Sequence, residues 1–359
     1  MYFCHMETHD QWMKRALQLA AHGRGKVSPN PMVGCVIVHE GHIIGEGWHR
    51  AYGGPHAEVR AIEDADEKGL SHLLPQATAY VTLEPCSHTG KTPPCADLLV
   101  SRRLKKVVVC NADPNPLVSG RGITRLRDAG IEVECGMLEA QGLELNKRFF
   151  TAMTQRRPYV ILKWAETADG FLGYAAGNPV QISGPLSSMR VHQWRTEEDA
   201  IMVGYKTALM DNPRLNARHW TGTDPVRIVT DRHLQLPQHL HLFNNLQSTI
   251  VVNYDRQTEI PKEPERYAAP STAYMKVETG ENEISQLLQG LYQRKVQSVL
   301  VEGGAAVINA FFDAGLWDEI RRCQGALTIG HGVPAPSPKG VFRGSEKIGD
   351  DLWTYYSKA

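Results

Sequence analysis

At 359 residues, with 42% apolar and 22% charged side chains and a formal net charge of zero, the chain has the composition of a folded protein with room for two domains. With 39 basic and 39 acidic residues and no basic stripe of the kind that grips a polyanion, the charge argues against a tRNA or DNA deaminase and for a small substrate. Seven cysteines, an odd number in a long chain, do not make a disulfide framework. The start, Met1 to Glu7, lacks the basic and apolar regions of a signal peptide, and no stretch reaches the roughly 20 apolar residues that span a bilayer. A reducing, cytoplasmic setting without membrane contact is therefore expected, one in which thiolates are available to a metal.

Gln11 to Ala21 places Trp12, Ala16, Leu19 and Ala20 on one helical face. Ser28-Pro29-Asn30-Pro31 forces an extended turn, because each proline disfavours helix in the residue before it. Asn30 there has an amide able to hold a heterocycle or a sugar hydroxyl, or it is simply a turn residue between prolines. Val33 to Val38 and Ile43 to Trp48 read as a hairpin turned by Glu40-Gly41-His42. A helix is expected over His56 to Lys68, strands over Thr78 to Thr82, Lys106 to Cys110 and Ile131 to Glu134, and a helix over Gly122 to Ala129. Cys35 and Cys110 sit in apolar strands as core residues, and Arg102-Arg103 with Lys105-Lys106 reads as a solvated helix end. The order suggests an α/β sandwich with a mixed sheet.

Two motifs carry chemistry in this half, Pro55-His56-Ala57-Glu58 and Glu84-Pro85-Cys86-Ser87-His88 running on to Cys95. One imidazole and two thiols form the ligand set of a catalytic zinc that keeps a position open for water. Glu58, two residues after the histidine, is placed to move protons beside such a metal. A bare His-x-Glu is a weak signal, and a cysteine pair in a Gly- and Pro-rich loop strengthens it. Eight residues separate Cys86 from Cys95, where zinc deaminases usually have two. Spacing alone also fits a closed structural zinc with His88 as fourth ligand.

Glu139 to Arg157 reads as one charged helix ending at Pro158, and the domain boundary falls there, giving domains 1–152 and 153–359. Strands follow at Tyr159 to Ala165, Ala200 to Val203, Val226 to Thr230, Thr249 to Val252 and Ser298 to Glu302, with helices at Pro185 to Arg195 and Glu283 to Arg294. This alternation predicts a mostly parallel sheet covered on both faces. No G-x-G-x-x-G follows the first strand, so the dinucleotide fingerprint is absent. Glu302-Gly303-Gly304-Ala305 instead joins a buried strand to an apolar helix, either a phosphate-binding helix start or a plain turn.

Pro29-Asn30-Pro31-Met32-Val33-Gly34, His56-Ala57-Glu58, Pro85-Cys86-Ser87-His88-Thr89-Gly90-Lys91-Thr92-Pro93-Pro94-Cys95, Asp113-Pro114-Asn115-Pro116 and Gly120-Arg121-Gly122 together resemble the bifunctional riboflavin-biosynthesis deaminase/reductases. That family carries the long cysteine spacing, and the resemblance runs through both halves. It implies a cytidine-deaminase-like α/β sandwich with a mixed sheet, followed by a dihydrofolate-reductase-like α/β domain. It implies one zinc per chain on His56, Cys86 and Cys95, with Glu58 as the proton carrier and His88, Lys91 and Thr92 in a loop over the site. For the second half it implies NADPH, contacted by Ala165, Thr207, Asp211, Arg232 and the helix start Gly304, Ala305, Ala306, Val307, Ile308, Asn309 and Ala310. Arg232 would suit the 2′-phosphate. Arg195, Leu215, Arg218 and Glu302 would hold a phosphorylated pyrimidine substrate, as would Asn30 in the first half, and a homo-oligomer, dimer or larger, is expected. Thr167-Ala168 stands where the family commonly has Ser-Leu, Gln181 where it often has Trp, and Pro179 where it has a small polar residue. Residues 321–338 match poorly, and Lys163 and Asp169 are left without a role.

Overall fold

The computed structural model describes residues 3–87, 94–115, 119–174, 180–280 and 282–359; His88, Lys91, Thr92, Pro116 and Pro179 lie outside them. The chain divides into two compact units, Met1–Gln155 and Arg156–Ala359.

The first unit runs α1 (Phe3–Ala21), β1 (Gly34–His39), β2 (His42–Trp48), α2 (Ala57–Glu67), β3 (Thr78–Leu83), α3 (Cys95–Ser101), β4 (Lys106–Asn111), α4 (Arg121–Asp128), β5 (Glu132–Cys135), α5 (Glu139–Leu145) and α6 (Lys147–Gln155). Its five strands lie in the order β2-β1-β3-β4-β5. The β1 pairings to β2 and β3 are antiparallel, whereas β3-β4 and β4-β5 are parallel, which is the expected mixed sheet. Side chains alternate across the pleat. Cys35, Ile37, Ala79 and Val81 face Ala61, Ile62 and Ala65 of α2, while Val36, Val38, Tyr80 and Val108 face Met13, Ala16 and Leu19 of α1. Both faces are buried, so the strands read as continuous apolar runs. Gly45 lets α2 seat on β2, since a Cβ there would lie 2.1 Å from the Ala61 carbonyl oxygen.

Two expectations are corrected here. The single helix over 139–157 is two helices, α5 and α6, broken at buried Asn146. The Asn146 amide accepts from the Met32 N–H at 2.8 Å and donates to the Met32 carbonyl at 2.9 Å, so it holds the chain beside Asn30. Lys106 is no helix end but belongs to the strand expected over Lys106 to Cys110. It opens β4 and bridges Glu132 and Glu134 of β5 at 2.8 and 3.0 Å. Asn146→Ala would strand both Met32 groups in a dry site, and a loss of about 2–4 kcal/mol is expected from denaturant unfolding.

The second unit runs β6 (Tyr159–Glu166), α7 (Pro185–Glu197), β7 (Ala200–Val203), α8 (Tyr205–Asp211), β8 (Val226–Thr230), β9 (Thr249–Asn253), β10 (Thr272–Lys276), α9 (Glu283–Gln293), β11 (Ser298–Val301), α10 (Ala305–Ala314), β12 (Glu319–Gln324), β13 (Val341–Ile348) and β14 (Asp351–Ser357). Nine strands lie in the order β10-β9-β8-β7-β11-β6-β12-β14-β13. Every pairing from β10 to β12 is parallel, and only β14 runs against its neighbours. Residues Leu162, Met202, Ile228 and Val301 pack under Leu287, Leu291, Ile308 and Phe311 on one face. On the other face Ile161 and Leu300 pack under Val191, Trp194 and Trp353. β11 inserts between β7 and β6, so the chain reverses direction of travel there, and the crevice beyond the strand ends is where such sheets bind ligands.

Candidate functional site

In the first unit His56 caps α2 from an extended conformation, and its imidazole meets two thiols that arrive from elsewhere. Cys86 follows β3 and Cys95 opens α3. His56 Nδ1 lies 3.6 Å from Cys86 Sγ and 3.3 Å from Cys95 Sγ, and the three ligand atoms all fall within 4.8 Å of one another. A tetrahedral zinc with ordinary Zn–N and Zn–S bonds spaces its nitrogen and sulfur ligands about 3.6 Å apart, so the donor set fits that ion. The Cys95 N–H donates to Cys86 Sγ at 3.3 Å. Hydrogen bonds from Cys95 and His56 hold the Cys86 thiol well below its ordinary pKa, which prepares a thiolate. His88 lies outside the described residues, so the geometry concerns these three ligands alone.

Glu58 sits one residue into α2 and is buried, 3% exposed, within hydrogen-bond reach of Cys95. Burial pushes its carboxyl up to about 6 against the lowering pull of His56. Asn30 is oriented by a residue that the sequence left unremarked. His49 is buried, and its Nδ1 lies 3.0 Å from the Pro55 carbonyl, which can only accept, so that nitrogen carries the proton. Its Nε2 then accepts from the Asn30 amide at 3.1 Å, which leaves the Asn30 oxygen free of that contact. The His49 and His56 rings meet edge-on at 5.5 Å. A histidine one residue past an expected strand and seven before the ligand was the available signal.

Glu84 was also passed over. Its buried carboxylate accepts from the N–H groups of Asp113, Gly120, Gly122 and Ile123 at 3.3, 3.0, 2.9 and 3.3 Å. It thereby caps α4 and fixes the strand end that leads to Cys86. Gly122 permits this approach, because a Cβ there would lie 2.0 Å from the Pro85 carbonyl oxygen.

In the second unit Glu302 leaves β11 and meets Arg195 of α7 in a two-point pair, Nε–Oε1 at 2.9 Å and Nη2–Oε2 at 2.8 Å. Arg195 Nη1 donates to the Asn216 carbonyl at 3.0 Å, and Lys163 Nζ stands 3.8 Å from Glu302. The arginine fork expected to grip phosphate therefore faces Glu302 first. Burial alone would push the Glu302 carboxyl up; the Arg195 and Lys163 charges override it and hold it down at about 2. Arg218 is exposed and hydrogen-bonds Asn216 at 3.2 Å. Leu215 is buried in a core cluster with Val203 and Val229, so its side chain belongs to packing and its carbonyl accepts from Gln247.

Gly304 precedes α10 with φ +73°, and the Thr207 hydroxyl lies 3.3 Å from where a Cβ on Gly304 would stand. Thr207 and the Gly304–Ala310 helix start are thus brought together. Ala165 lies near the end of β6, and Asp211 closes α8. Arg232 follows β8, donates to Glu283 at 2.9 Å and is 62% exposed; Glu283 also accepts from Tyr254 at 2.7 Å. Asp169 accepts from Thr167 and from the N–H groups of Ile329 and Gly330, so it clasps the segment that matched poorly in sequence against the end of β6.

The fold and these sites define a zinc-deaminase domain of the cytidine-deaminase type followed by a dihydrofolate-reductase-like domain. The model for the cytidine and deoxycytidylate deaminase zinc-binding region matches residues 6–111, and that for the RibD C-terminal domain matches residues 158–352. The riboflavin biosynthesis protein RibD of Aquifex aeolicus is 40% identical over 98% of this chain and 99% of its own, and that of Actinobacillus pleuropneumoniae 38% identical over 96% and 94%. A solved diaminohydroxyphosphoribosylaminopyrimidine deaminase/5-amino-6-(5-phosphoribosylamino)uracil reductase from Thermotoga maritima superposes with a TM-score of 0.86 at 36% identity, covering 99% of this chain and 100% of that one. The chain belongs to this family of bifunctional riboflavin-biosynthesis deaminase/reductases. It is an enzyme with two activities, a zinc-dependent deamination and an NADPH-dependent reduction. No helix among the described residues is long and apolar enough to cross a membrane.

Proposed function

We propose that residues 1–152 deaminate 2,5-diamino-6-ribosylamino-4(3H)-pyrimidinone 5′-phosphate, and that residues 153–359 reduce the ribosyl group of the product to ribityl. The observation that carries the first step is a buried carboxylate, Glu58, beside three convergent zinc donors, His56, Cys86 and Cys95. Bound zinc supplies the Lewis acidity that makes water a nucleophile near neutral pH. Glu58 takes the proton from the attacking water and returns it to the departing amine, a task suited to a carboxyl raised toward neutrality by burial. Asn30, set by His49, holds the pyrimidine or its sugar through its amide.

For the second step NADPH supplies the hydride, and the protein supplies orientation. Ala165, Thr207, Asp211 and the Gly304–Ala310 helix start hold the cofactor, with Arg232 at its 2′-phosphate. Arg195, Arg218, Glu302 and the backbone of Leu215 hold the substrate at the ends of the central strands. The assembly is a cytoplasmic homo-oligomer, a dimer or larger. The test is a coupled assay with the pyrimidine substrate, following ammonia and NADPH together. NADPH oxidation should begin only after ammonia release, and oxidation with no prior ammonia would overturn the order of steps. Arg232→Ala should lower kcat/KM for NADPH about 10-fold and leave that for NADH unchanged. Equal losses with both cofactors would remove Arg232 from the 2′-phosphate.

A further inference from the structure

The charges of Arg195 and Arg214 both oppose that of Arg218, while Asp224 adds a second negative charge beside Arg195. Of the three arginines only Arg195 is matched, by Glu302, and neither Arg214 nor Arg218 forms an ion pair with a described residue. Arg214 and Arg218 are exposed and solvated, and their surplus positive charge draws an anion toward them. His192 belongs to this group. It lies one turn before Arg195 on α7, so the two side chains share a face. Its ring meets the His219 ring edge-on, centroids 4.6 Å apart, one residue after Arg218.

His192 is 2% exposed, and its Nδ1 is buried without a hydrogen-bond partner. A buried polar atom left unpaired costs stability, and an apolar side chain of similar size would remove that cost. Val191 and Trp194, its helix neighbours, fill the core, and an apolar ring or branched side chain could fill the place of His192 beside them. The position therefore retains a polar ring at a standing cost, beside a patch that carries more positive than negative charge.

We infer that His192 is a substrate-binding residue of the reduction, one that completes an oxyanion subsite with Arg195, Arg214 and Arg218 and hydrogen-bonds the substrate's phosphate. This rests on the reading that Arg195 and Arg218 face the substrate. Burial first, and then the charges of Arg195, Arg218 and His219, press the His192 pKa down to about 4 against the pull of Glu302, so the free enzyme holds it neutral. A neutral imidazole still offers an N–H to a phosphoryl oxygen, and it avoids placing a fourth cation among three.

The experiment compares His192→Leu and His192→Asn with Arg218→Ala in the full-length zinc-loaded enzyme, using the deaminated substrate and its dephosphorylated counterpart, with thermal melting alongside. His192→Leu should melt at or above the wild-type temperature, since it removes an unpaired polar group. Its kcat/KM for the phosphorylated substrate should fall about 10- to 100-fold, with kcat/KM for the dephosphorylated compound and KM for NADPH unchanged. His192→Asn, which keeps an N–H donor, should recover part of the loss. An unchanged phosphorylated-to-dephosphorylated preference in both His192 variants would overturn the inference, provided Arg218→Ala lowers that preference. If Arg218→Ala also leaves it unchanged, the reading of the whole cluster as the phosphate site fails, and His192 with it.

Discussion

Glu58→Gln should reduce ammonia release by about 100- to 10,000-fold, while zinc content and the reduction of supplied deaminated product stay at wild-type levels. Glutamine matches the volume of glutamate and retains an amide oxygen, so the packing around a side chain that is 3% exposed is disturbed little. It cannot accept and return a proton. The His56, Cys86 and Cys95 donors stay, carried by α2, the end of β3 and the start of α3, and glutamine keeps an amide oxygen at the place of the carboxylate beside Cys95. Metal analysis and ammonia release on the same preparation separate the two roles. A variant that keeps zinc and loses turnover supports the proton carrier. Normal turnover would remove Glu58 from the chemistry, and joint loss of zinc and turnover would make it a support of the metal site.

The parts of this molecule that were legible in sequence are those set by local period or by residue type at an element end. Val33 to Val38 and Val226 to Thr230 alternate across sheets buried on both faces, so their runs of apolar residues emerge as β1 and β8. His56 and Cys86 sit at the ends of α2 and β3, where a rigid sheet can bring distant side chains to one point. Less legible were the polar groups whose partners lie far along the chain. Asn146 ends a helix because Met32, 114 residues earlier, needs its amide. Glu84 finds its partners 29 to 39 residues on, and no helical or strand period encodes such a contact. The β13–β14 hairpin was missed because β13 alternates between exposed and half-buried residues, without the apolar run that marked its neighbours. The family resemblance named both Arg195 and Glu302, but not that they pair with each other, since they lie 107 residues apart.

That pair sets the second large effect. Arg195→Ala should destabilise the second unit by about 3–5 kcal/mol, because it leaves Glu302 buried and charged with only Lys163 nearby. The double change Arg195→Met with Glu302→Leu should restore most of that stability, since matched apolar side chains can replace a buried pair, yet reductase activity should stay lost. Stability and function thus separate at one locus. The pH dependence has a definite sign. Glu302 has a folded pKa of about 2, below its ordinary 4.5, so its ionised form favours the folded state. Its contribution is complete above about pH 4.5, and it drains away as pH falls from there toward 2. Acid unfolding of the wild type followed by tryptophan fluorescence should steepen across that window, and Glu302→Gln should flatten it. A double variant that recovered reduction along with stability would place substrate binding elsewhere. A Glu302→Gln profile identical to wild type would mean that the carboxylate is not held ionised by Arg195.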